Sequence, residues 1–191
     1  MTLIVLTAPS GAGKTTIARR LMAEVPGLRF SVSATTREPR PAERHGVDYV
    51  FLSEDEFRQR LAEGDFLEHE EVYPGRFYGT LKQAVEETAM ADDVRAVVLD
   101  VDVKGAINVK RLYGDAALTL FIAPPSLAAL AERLHGRGTE TEAQVATRLE
   151  RAKMEMDMAS EFDDVVVNDD LEQAVAETLA LVRGFLETRG V

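Results

Sequence analysis

A glycine-rich segment near the beginning of the chain has the residue types needed to hold phosphate groups. Residues 8 to 15, with the sequence APSGAGKT, match the phosphate-loop pattern G-x-x-x-x-G-K-[ST] at every fixed position except the first. In such a loop backbone N–H groups surround the phosphates, the lysine reaches the outer ones, and the threonine hydroxyl can bind Mg²⁺. An ordinary glycine turn is the alternative, but it gives no reason for the Gly-Lys-Thr triplet. The pattern therefore predicts a nucleoside triphosphate site at Ser10, Gly11, Ala12, Gly13, Lys14, Thr15 and Thr16, with Thr15 as the metal ligand.

The first position of the pattern is occupied by Ala8 instead of glycine. If the loop required a left-handed backbone there, alanine would cost about 1 kcal/mol. We expect this position to tolerate a small residue.

A second group of residues combines arginine with tyrosine. Arg37 and Arg40 lie in a segment held extended by two prolines, and their forked donors suit a phosphate. Tyr49 and Tyr78 can add neutral hydroxyl donors to the same oxygens. The combination describes a pocket for a monophosphate, with a solvated charged loop as the alternative from these residues alone.

Apolar runs and helical periodicity indicate the elements that must position these residues. We expect strands at residues 2–7, 96–100, 118–122 and 165–167, and helices at 14–25, 103–112, 126–134, 142–158 and 171–186. Strands that alternate with helices predict an α/β fold with a doubly wound parallel sheet.

Two stretches interrupt this alternation. Residues 30–80 contain more aromatic and turn residues, with short strands expected at 49–51 and 66–68 and a short helix at 53–61, which indicates an inserted subdomain. Residues 136–139, Gly-Arg-Gly-Thr, are expected at the flexible tip of a second, smaller insert.

Composition limits the class of protein. The chain has 191 residues, about one domain, of which 46% are hydrophobic and 29% charged, as in globular proteins. It has no cysteine and no stretch typical of a signal peptide or a membrane span, so we expect a cytoplasmic protein. The net charge of −11 opposes binding to nucleic acid or anionic membranes. A phosphate ligand must therefore be met by a few basic residues concentrated in one cleft.

Seven segments in order along nearly the whole chain resemble the guanylate kinase family, whose members phosphorylate GMP from ATP. They are FSVSATTREPRPAERHGVDYVF (30–51), DFLEH (65–69), FYGT (77–80), VLDVDVKG (98–105), FIAPPS (121–126), RLHGRGTETEAQVATRL (133–149) and VVNDDL (166–171). The resemblance implies a P-loop NTPase-type three-layer fold with a central parallel sheet. It also implies a nucleoside-monophosphate-binding insert near 33–80 and a helical lid near 126–155, with the core at about 1–32, 81–125 and 156–191.

The resemblance also implies roles for the GMP-binding residues. Arg37, Arg40, Tyr49 and Tyr78 would hold the GMP phosphate with Glu43 beside them, and Ser33, Glu68 and Thr80 would read guanine. Gly79 would also belong to the substrate-binding residues. The chemistry agrees, because guanine presents N1–H and N2–H₂ donors that one carboxylate such as Glu68 can accept together. Adenine offers the wrong pattern.

The remaining implied residues serve the triphosphate and the metal. Asp100 and Asp102 would lie near GMP and the metal, although Asp102 can equally be a helix N-cap. Arg133, Arg137 and Arg148 would act on the triphosphate and the transferring phosphoryl group, with Lys14. Asn168 and Asp169 would lie on the adenine side, with a turn or helix cap as the alternative.

Two other functions share some of these features. A sister kinase acting on ribose bisphosphate needs no base-reading residues, and a silent guanylate-kinase-like binding module needs no catalytic ones. A signalling GTPase would carry an N-K-x-D sequence, which is absent. We therefore expect an ATP- and Mg²⁺-dependent kinase for GMP, with dGMP also accepted, that is a monomer or a small homo-oligomer.

Overall fold

Strands and helices alternate along most of the chain in the computed structural model, which describes residues 1–136 and 141–191. The strands of this part are β1 (Leu3–Thr7), β2 (Leu28–Phe30), β3 (Ala34–Thr35), β4 (Val50–Phe51), β5 (Phe66–Tyr73), β6 (Arg76–Leu81), β7 (Ala96–Asp100), β8 (Ala117–Ala123) and β9 (Asp164–Val167). The helices are α1 (Lys14–Glu24), α2 (Glu54–Glu63), α3 (Lys82–Ala89), α4 (Val103–Tyr113), α5 (Leu127–His135), α6 (Glu142–Asp157) and α7 (Leu171–Arg189). Short 3₁₀ turns cover Gly114–Ala116 and Ala159–Glu161.

The larger sheet has the strand order β2-β7-β1-β8-β9 among the described residues. β2 pairs in parallel with β7, and β8 pairs in parallel with β9. Every residue of β1 and β8 is buried, which is the pattern of parallel strands covered on both faces. The predicted α/β fold with a parallel central sheet is confirmed.

The smaller sheet has the order β4-β3-β6-β5 and is mixed. β3 is parallel to β4, whereas β6 is antiparallel to both β3 and β5. Phe57 of α2 stacks on Phe66 and Phe77 with ring centroids 4.2 and 5.3 Å away. This aromatic core explains why residues 30–80 are rich in aromatic residues.

All the predicted strands and helices are present, and the structure contains four more that were not predicted, namely β2, β3, β6 and α3. β2 and β3 have only three and two residues, too few to show a periodic pattern. β6 was not predicted as a strand, and α3 buries only Val85 and so has no apolar face to detect. β5 continues five residues beyond the predicted strand, through an acidic stretch, because β6 supplies its backbone hydrogen bonds.

The chain divides into two compact units. The first comprises Met1–Val5 and Gly27–Ala117, and the second comprises Leu6–Pro26 and Leu118–Val191. The smaller sheet belongs to the first unit, and the glycine-rich loop belongs to the second. None of the helices in the described part of the chain has the length and apolar character needed to cross a membrane.

Within the second unit, α5 and α6 share a small apolar core. Leu130 and Leu134 of α5 pack with Val145 and Ala152 of α6, and all four side chains are buried. Thr141 starts α6 with a capping box, in which its hydroxyl accepts the Gln144 N–H. These contacts fix the two helices that carry Arg133 and Arg148.

Candidate active site

The glycine-rich loop connects β1 to α1 with two residues in the left-handed region. Gly11 has φ 100° and Gly13 has φ 101°, and the Ala12 N–H donates to the Pro9 carbonyl at 3.0 Å. Gly13 is the N-cap of α1 and offers no side chain to the first-turn N–H groups. An uncapped helix start of this kind is suited to an anion such as phosphate.

Ala8 fits the loop without strain. No non-glycine residue in the described ranges has a positive φ, so the backbone at this position is one that alanine adopts freely. The two left-handed positions are both occupied by glycine. The expectation that a small residue is tolerated at the first position of the pattern therefore agrees with the backbone.

Two of the predicted arginines contact the loop or its neighbours. The Arg148 Nη1 of α6 donates to the Ser10 hydroxyl at 3.1 Å, which places a guanidinium beside the loop. The Arg133 Nη2 of α5 donates to the Asn168 carbonyl at 2.8 Å. Arg137 lies outside the described residues.

Asn168 is buried at the end of β9, with 5% of its surface exposed. Its side-chain Nδ2 donates to the Ala12 carbonyl of the loop at 2.7 Å. Asp169 next to it is exposed, and Asp170 caps α7 by accepting the Gln173 N–H. Thr15 and Thr16 are exposed in the first turn of α1, and Lys14 is half-buried.

In the first unit, Arg37 and Glu43 form a bidentate ion pair. Nη1 and Nη2 of Arg37 each donate to a Glu43 carboxylate oxygen at 2.9 Å, and Nε donates to the Tyr78 hydroxyl at 3.3 Å. The Arg40 backbone N–H also donates to Glu43, at 2.8 Å, while the Arg40 side chain is exposed. The hydrogen bond from Arg37 lowers the pKa of Glu43, and the same pairing raises the pKa of Arg37. Glu43 therefore orients one arginine and the backbone of the other.

Tyr49 lies beside this ion pair. Its ring is 6.1 Å from that of Tyr78, and the Arg37 guanidinium lies 5.4 Å from its centroid. Burial raises the pKa of the Tyr49 hydroxyl, and the negative charge of Asp100 adds to this effect. The hydroxyl is therefore protonated at neutral pH and able to donate, as the sequence analysis assumed.

Glu68 is a buried carboxylate in β5, with only 7% of its surface exposed. Its Oε1 accepts the Thr80 hydroxyl of β6 at 2.5 Å, and β5 and β6 place these two residues opposite each other. Burial is the main cause that raises the pKa of Glu68 to about 7, and the Asp102 charge adds to it. The structure thus keeps a partly protonated acid where a base-reading residue was predicted.

Asp102 has the helix-capping role that the sequence analysis left open. It is the N-cap of α4 and accepts the Gly105 N–H at 2.7 Å. It also lies close enough to Glu68 to affect its charge. Asp100 ends β7 and is exposed. The capping role of Asp102 and its position beside Glu68 are therefore compatible.

Two further predicted residues lie near these groups. Gly79 is buried in β6, where a Cβ would lie 2.7 Å from the Phe66 ring and 2.9 Å from the Glu68 carbonyl. Ser33 is half-buried just before β3, and its carbonyl accepts the Val50 N–H at 2.9 Å. Because Gly79 has no side chain, the Phe66 ring and the backbone of β5 can approach β6 closely.

Sequence reasoning missed Gly105. A Cβ at this position would lie 2.6 Å from the Glu68 Oε2 and 2.7 Å from the Asp102 Oδ1. Both distances are shorter than any side chain allows, so Gly105 leaves the space that the two carboxylates occupy. The contact joins Gly105 of α4 to a residue of β5 that lies 37 positions earlier, so no local pattern predicts it. The one signal in the sequence is that Gly105 belongs to a segment that resembles the family.

We expect Gly105→Ala to weaken GMP binding selectively. The added methyl displaces the Glu68 carboxylate, and misplacement of a polar group in a buried site raises the KM for GMP by about tenfold. The KM for ATP stays within twofold, because the phosphate loop belongs to the other unit. Steady-state kinetics with each substrate varied in turn measures both constants.

The matched control is Gly184→Ala in α7, where nothing lies within 4 Å of the added Cβ. Alanine favours a helix there, so stability is kept or improved and both KM values are expected to stay unchanged. An equal rise of both KM values in Gly105→Ala, or no change in the KM for GMP, contradicts the positioning role.

The chain is similar to known proteins over nearly its whole length. The family model for guanylate kinase matches residues 1–183. The guanylate kinase of Salinibacter ruber is 59% identical over 186 residues, which are 97% of both chains. That of Bacteroides fragilis strain ATCC 25285 is 52% identical over 183 residues, 96% of this chain and 89% of the relative.

The fold is also similar to that of a solved guanylate kinase structure. The crystal structure of guanylate kinase from Anaplasma phagocytophilum matches 96% of this chain and 85% of its own, with a TM-score of 0.74 and 30% sequence identity. Family model, relatives and fold agree with the resemblance carried by the seven segments. With its parallel sheet, its phosphate loop and its buried Glu68 in place, the chain belongs to the guanylate kinase family.

Proposed function

We propose that two groups of residues bind the substrates of this guanylate kinase, one group in each unit. The chain transfers the γ-phosphoryl group of ATP to GMP and forms ADP and GDP. The observation that carries the site assignment is the buried Glu68 carboxylate with its hydrogen bond to Thr80. An acceptor in that setting suits a purine that presents two adjacent N–H donors.

Guanine recognition follows from the acceptors that Glu68 offers. The ionised carboxylate accepts from guanine N1–H and N2–H₂, and the Ser33 hydroxyl is suited to donate to O6. The Thr80 hydroxyl donates to Glu68 and so holds the carboxylate in place. Adenine has no N1 proton to donate and therefore does not supply the pair of base donors that the buried carboxylate can accept. A site of this type discriminates by roughly four to five decades in kcat/KM.

The GMP phosphate is assigned to the arginine and tyrosine group. Glu43 holds Arg37 in a fixed orientation, and the exposed Arg40 supplies a second cation. The hydroxyls of Tyr49 and Tyr78 donate to the remaining oxygens. Asp100 and Asp102 then lie on the guanine side of the site, and Gly79 permits the strand packing there.

ATP is assigned to the phosphate loop of the second unit. Residues 10–16 surround its phosphates, and Lys14 reaches the outer ones. Arg148 is already beside Ser10, so its positive charge is available to the triphosphate. Phosphoryl transfer needs such fixed cations over the equatorial oxygens and no covalent intermediate. Arg133 and Arg137 are proposed for the same task, and Asp169 for the adenine side.

Mg²⁺ fits the donors at the start of α1. The exposed Thr15 provides one hydroxyl oxygen, which suits a hard cation that keeps several waters and binds phosphate oxygens. When bound, the ion neutralises charge on the transferring group. Thr15 is proposed as its protein ligand.

Other properties stay predictions from the sequence. They are the acceptance of dGMP, the insert at 33–80, the lid at 126–155, the cytoplasmic location and a monomeric or small homo-oligomeric state. Each is compatible with the family but is not needed for the site assignment.

A coupled assay of ADP release tests the function and separates its rivals. With ATP and Mg²⁺, we expect GMP to exceed AMP and UMP by at least a thousandfold in kcat/KM. Ribose 1,5-bisphosphate is expected to give no turnover. Turnover of the bisphosphate identifies the sister kinase, and the absence of all turnover with intact nucleotide binding identifies a silent module.

A further inference from the structure

The Asn168 side chain makes a long-range contact with the backbone of the phosphate loop. Its Nδ2 donates to the Ala12 carbonyl at 2.7 Å, across 156 positions of sequence, and the bond is buried. The backbone N–H and carbonyl of Asn168 are also hydrogen-bonded. Its N–H donates to the Ala123 carbonyl at 2.8 Å, and its carbonyl accepts Arg133 at 2.8 Å. Asn168 is therefore held through its backbone by β8 and α5, and its side-chain amide contacts the loop.

The contact fixes one particular peptide of the loop. The Ala12 N–H is bonded to Pro9, and the Ala12 carbonyl is bonded to Asn168, so Ala12 cannot rotate without losing a buried hydrogen bond. In a planar trans peptide the carbonyl and the following N–H point in opposite directions. When Asn168 holds the Ala12 carbonyl on one side, the Gly13 N–H is directed to the other.

Gly13 is adapted to the same contact. A Cβ at Gly13 would lie 2.2 Å from the Asn168 Nδ2, and the residue has φ 101°. The glycine is thus required by backbone conformation and by the approach of this amide. An ordinary glycine turn would not need an asparagine side chain packed against Gly13.

We propose that Asn168 is a positioning residue of the phosphate loop, which holds the Ala12 carbonyl so that the Gly13 N–H is directed at the bound phosphates. This rests on the proposed binding of ATP by the loop. It differs from an adenine-side role, because the effect of Asn168 then acts on any ligand with a polyphosphate and is independent of the base. Arg133 supports the arrangement through the Asn168 carbonyl.

The test uses a ligand without a base. Asn168→Ala removes the donor without adding charge, and Asn168→Asp keeps the shape but replaces the donor by an acceptor. For each variant we measure the KM values for ATP and GMP, and the inhibition constant of inorganic tripolyphosphate in competition with ATP. The matched control is Asn108→Asp, which makes the same change on the exposed surface of α4.

In Asn168→Ala we expect the KM for ATP and the inhibition constant of tripolyphosphate to rise together by about tenfold. The KM for GMP stays within twofold, and Asn108→Asp resembles the unmodified chain in all three constants. A rise for ATP with unchanged tripolyphosphate inhibition assigns Asn168 to adenine and overturns the proposal. No change in either constant overturns it as well.

A measurement on the unmodified chain covers the case in which the variants do not fold. With ¹⁵N-glycine labelling, the Gly13 amide proton is expected to shift downfield when tripolyphosphate binds, as N–H groups do when they donate to phosphate. An unshifted Gly13 signal in the saturated protein overturns the proposal. If the unmodified chain does not phosphorylate GMP, the proposed function fails, whereas the Gly13 signal still tests whether the Gly13 N–H faces the phosphates, as the role of Asn168 requires.

Discussion

Glu68→Gln is expected to lose most of its preference for guanine and to become more stable at alkaline pH. A glutamine offers one acceptor and one donor, so its NH₂ group opposes the guanine N2–H₂. We expect kcat/KM for GMP to fall by about 10²-fold or more, while inosine monophosphate, which lacks the 2-amino group, is much less affected. The coupled assay with both nucleotides gives the ratio.

The gain in stability follows from the pKa of Glu68. The folded-state pKa of about 7 lies above the ordinary value of 4.5, so the folded protein binds a proton that the unfolded chain has released. The stability that this proton binding contributes to the folded state is fully present below about pH 4.5 and is lost as the pH rises through 7. The loss amounts to about 3 kcal/mol, and Gln at this position does not suffer it. Thermal unfolding at pH 8 should therefore show a melting temperature several degrees higher for the variant.

The same group predicts a pH dependence of GMP binding. Below pH 7 the protonated Glu68 loses one acceptor, so the KM for GMP rises as the pH falls from 8 to 6. Glu68→Gln retains only the titration of the GMP phosphate, so the difference between the two profiles reports Glu68. The control is Glu177→Gln, an exposed change on α7 that should leave both profile and stability unaltered. A variant that keeps its guanine preference removes Glu68 from its assigned role.

Lys14→Met is expected to lose turnover while retaining much of its nucleotide binding. The lysine begins α1 directly after the two left-handed glycines of the loop, where its ammonium group can follow the charge on the outer phosphates. Removing one preorganised group that stabilises transition-state charge lowers kcat by about 10²- to 10³-fold. The backbone N–H groups of the loop remain, so the affinity for ATP falls much less.

The expected result for Lys14→Met is a strongly lowered kcat together with a nearly retained affinity for ATP. The kcat comes from the coupled assay, and the affinity for ATP comes from calorimetry without GMP. Lys153→Met, an exposed lysine of α6, makes the same chemical change away from the loop and should keep the full rate. A Lys14→Met enzyme within tenfold of the original kcat contradicts the assignment.

The local sequence determined the elements and the phosphate loop. Apolar runs and helical periodicity depend on neighbouring residues, so the strands of the larger sheet other than β2 and all helices except α3 could be predicted. The loop pattern also lies within eight consecutive positions. The seven segments carried the family because their order and residue types match along the chain, and this matching needs no coordinates.

The tertiary structure decided which of these residues touch. Asn168 meets Ala12, Glu68 meets Thr80, and the missing Cβ of Gly105 leaves room for a carboxylate on another element. None of these contacts has a local signature, because they arise where β9, β5 and α4 pack against distant segments. Burial, which sets the pKa of Glu68, is likewise a property of all surrounding atoms together and becomes defined only when the chain has folded.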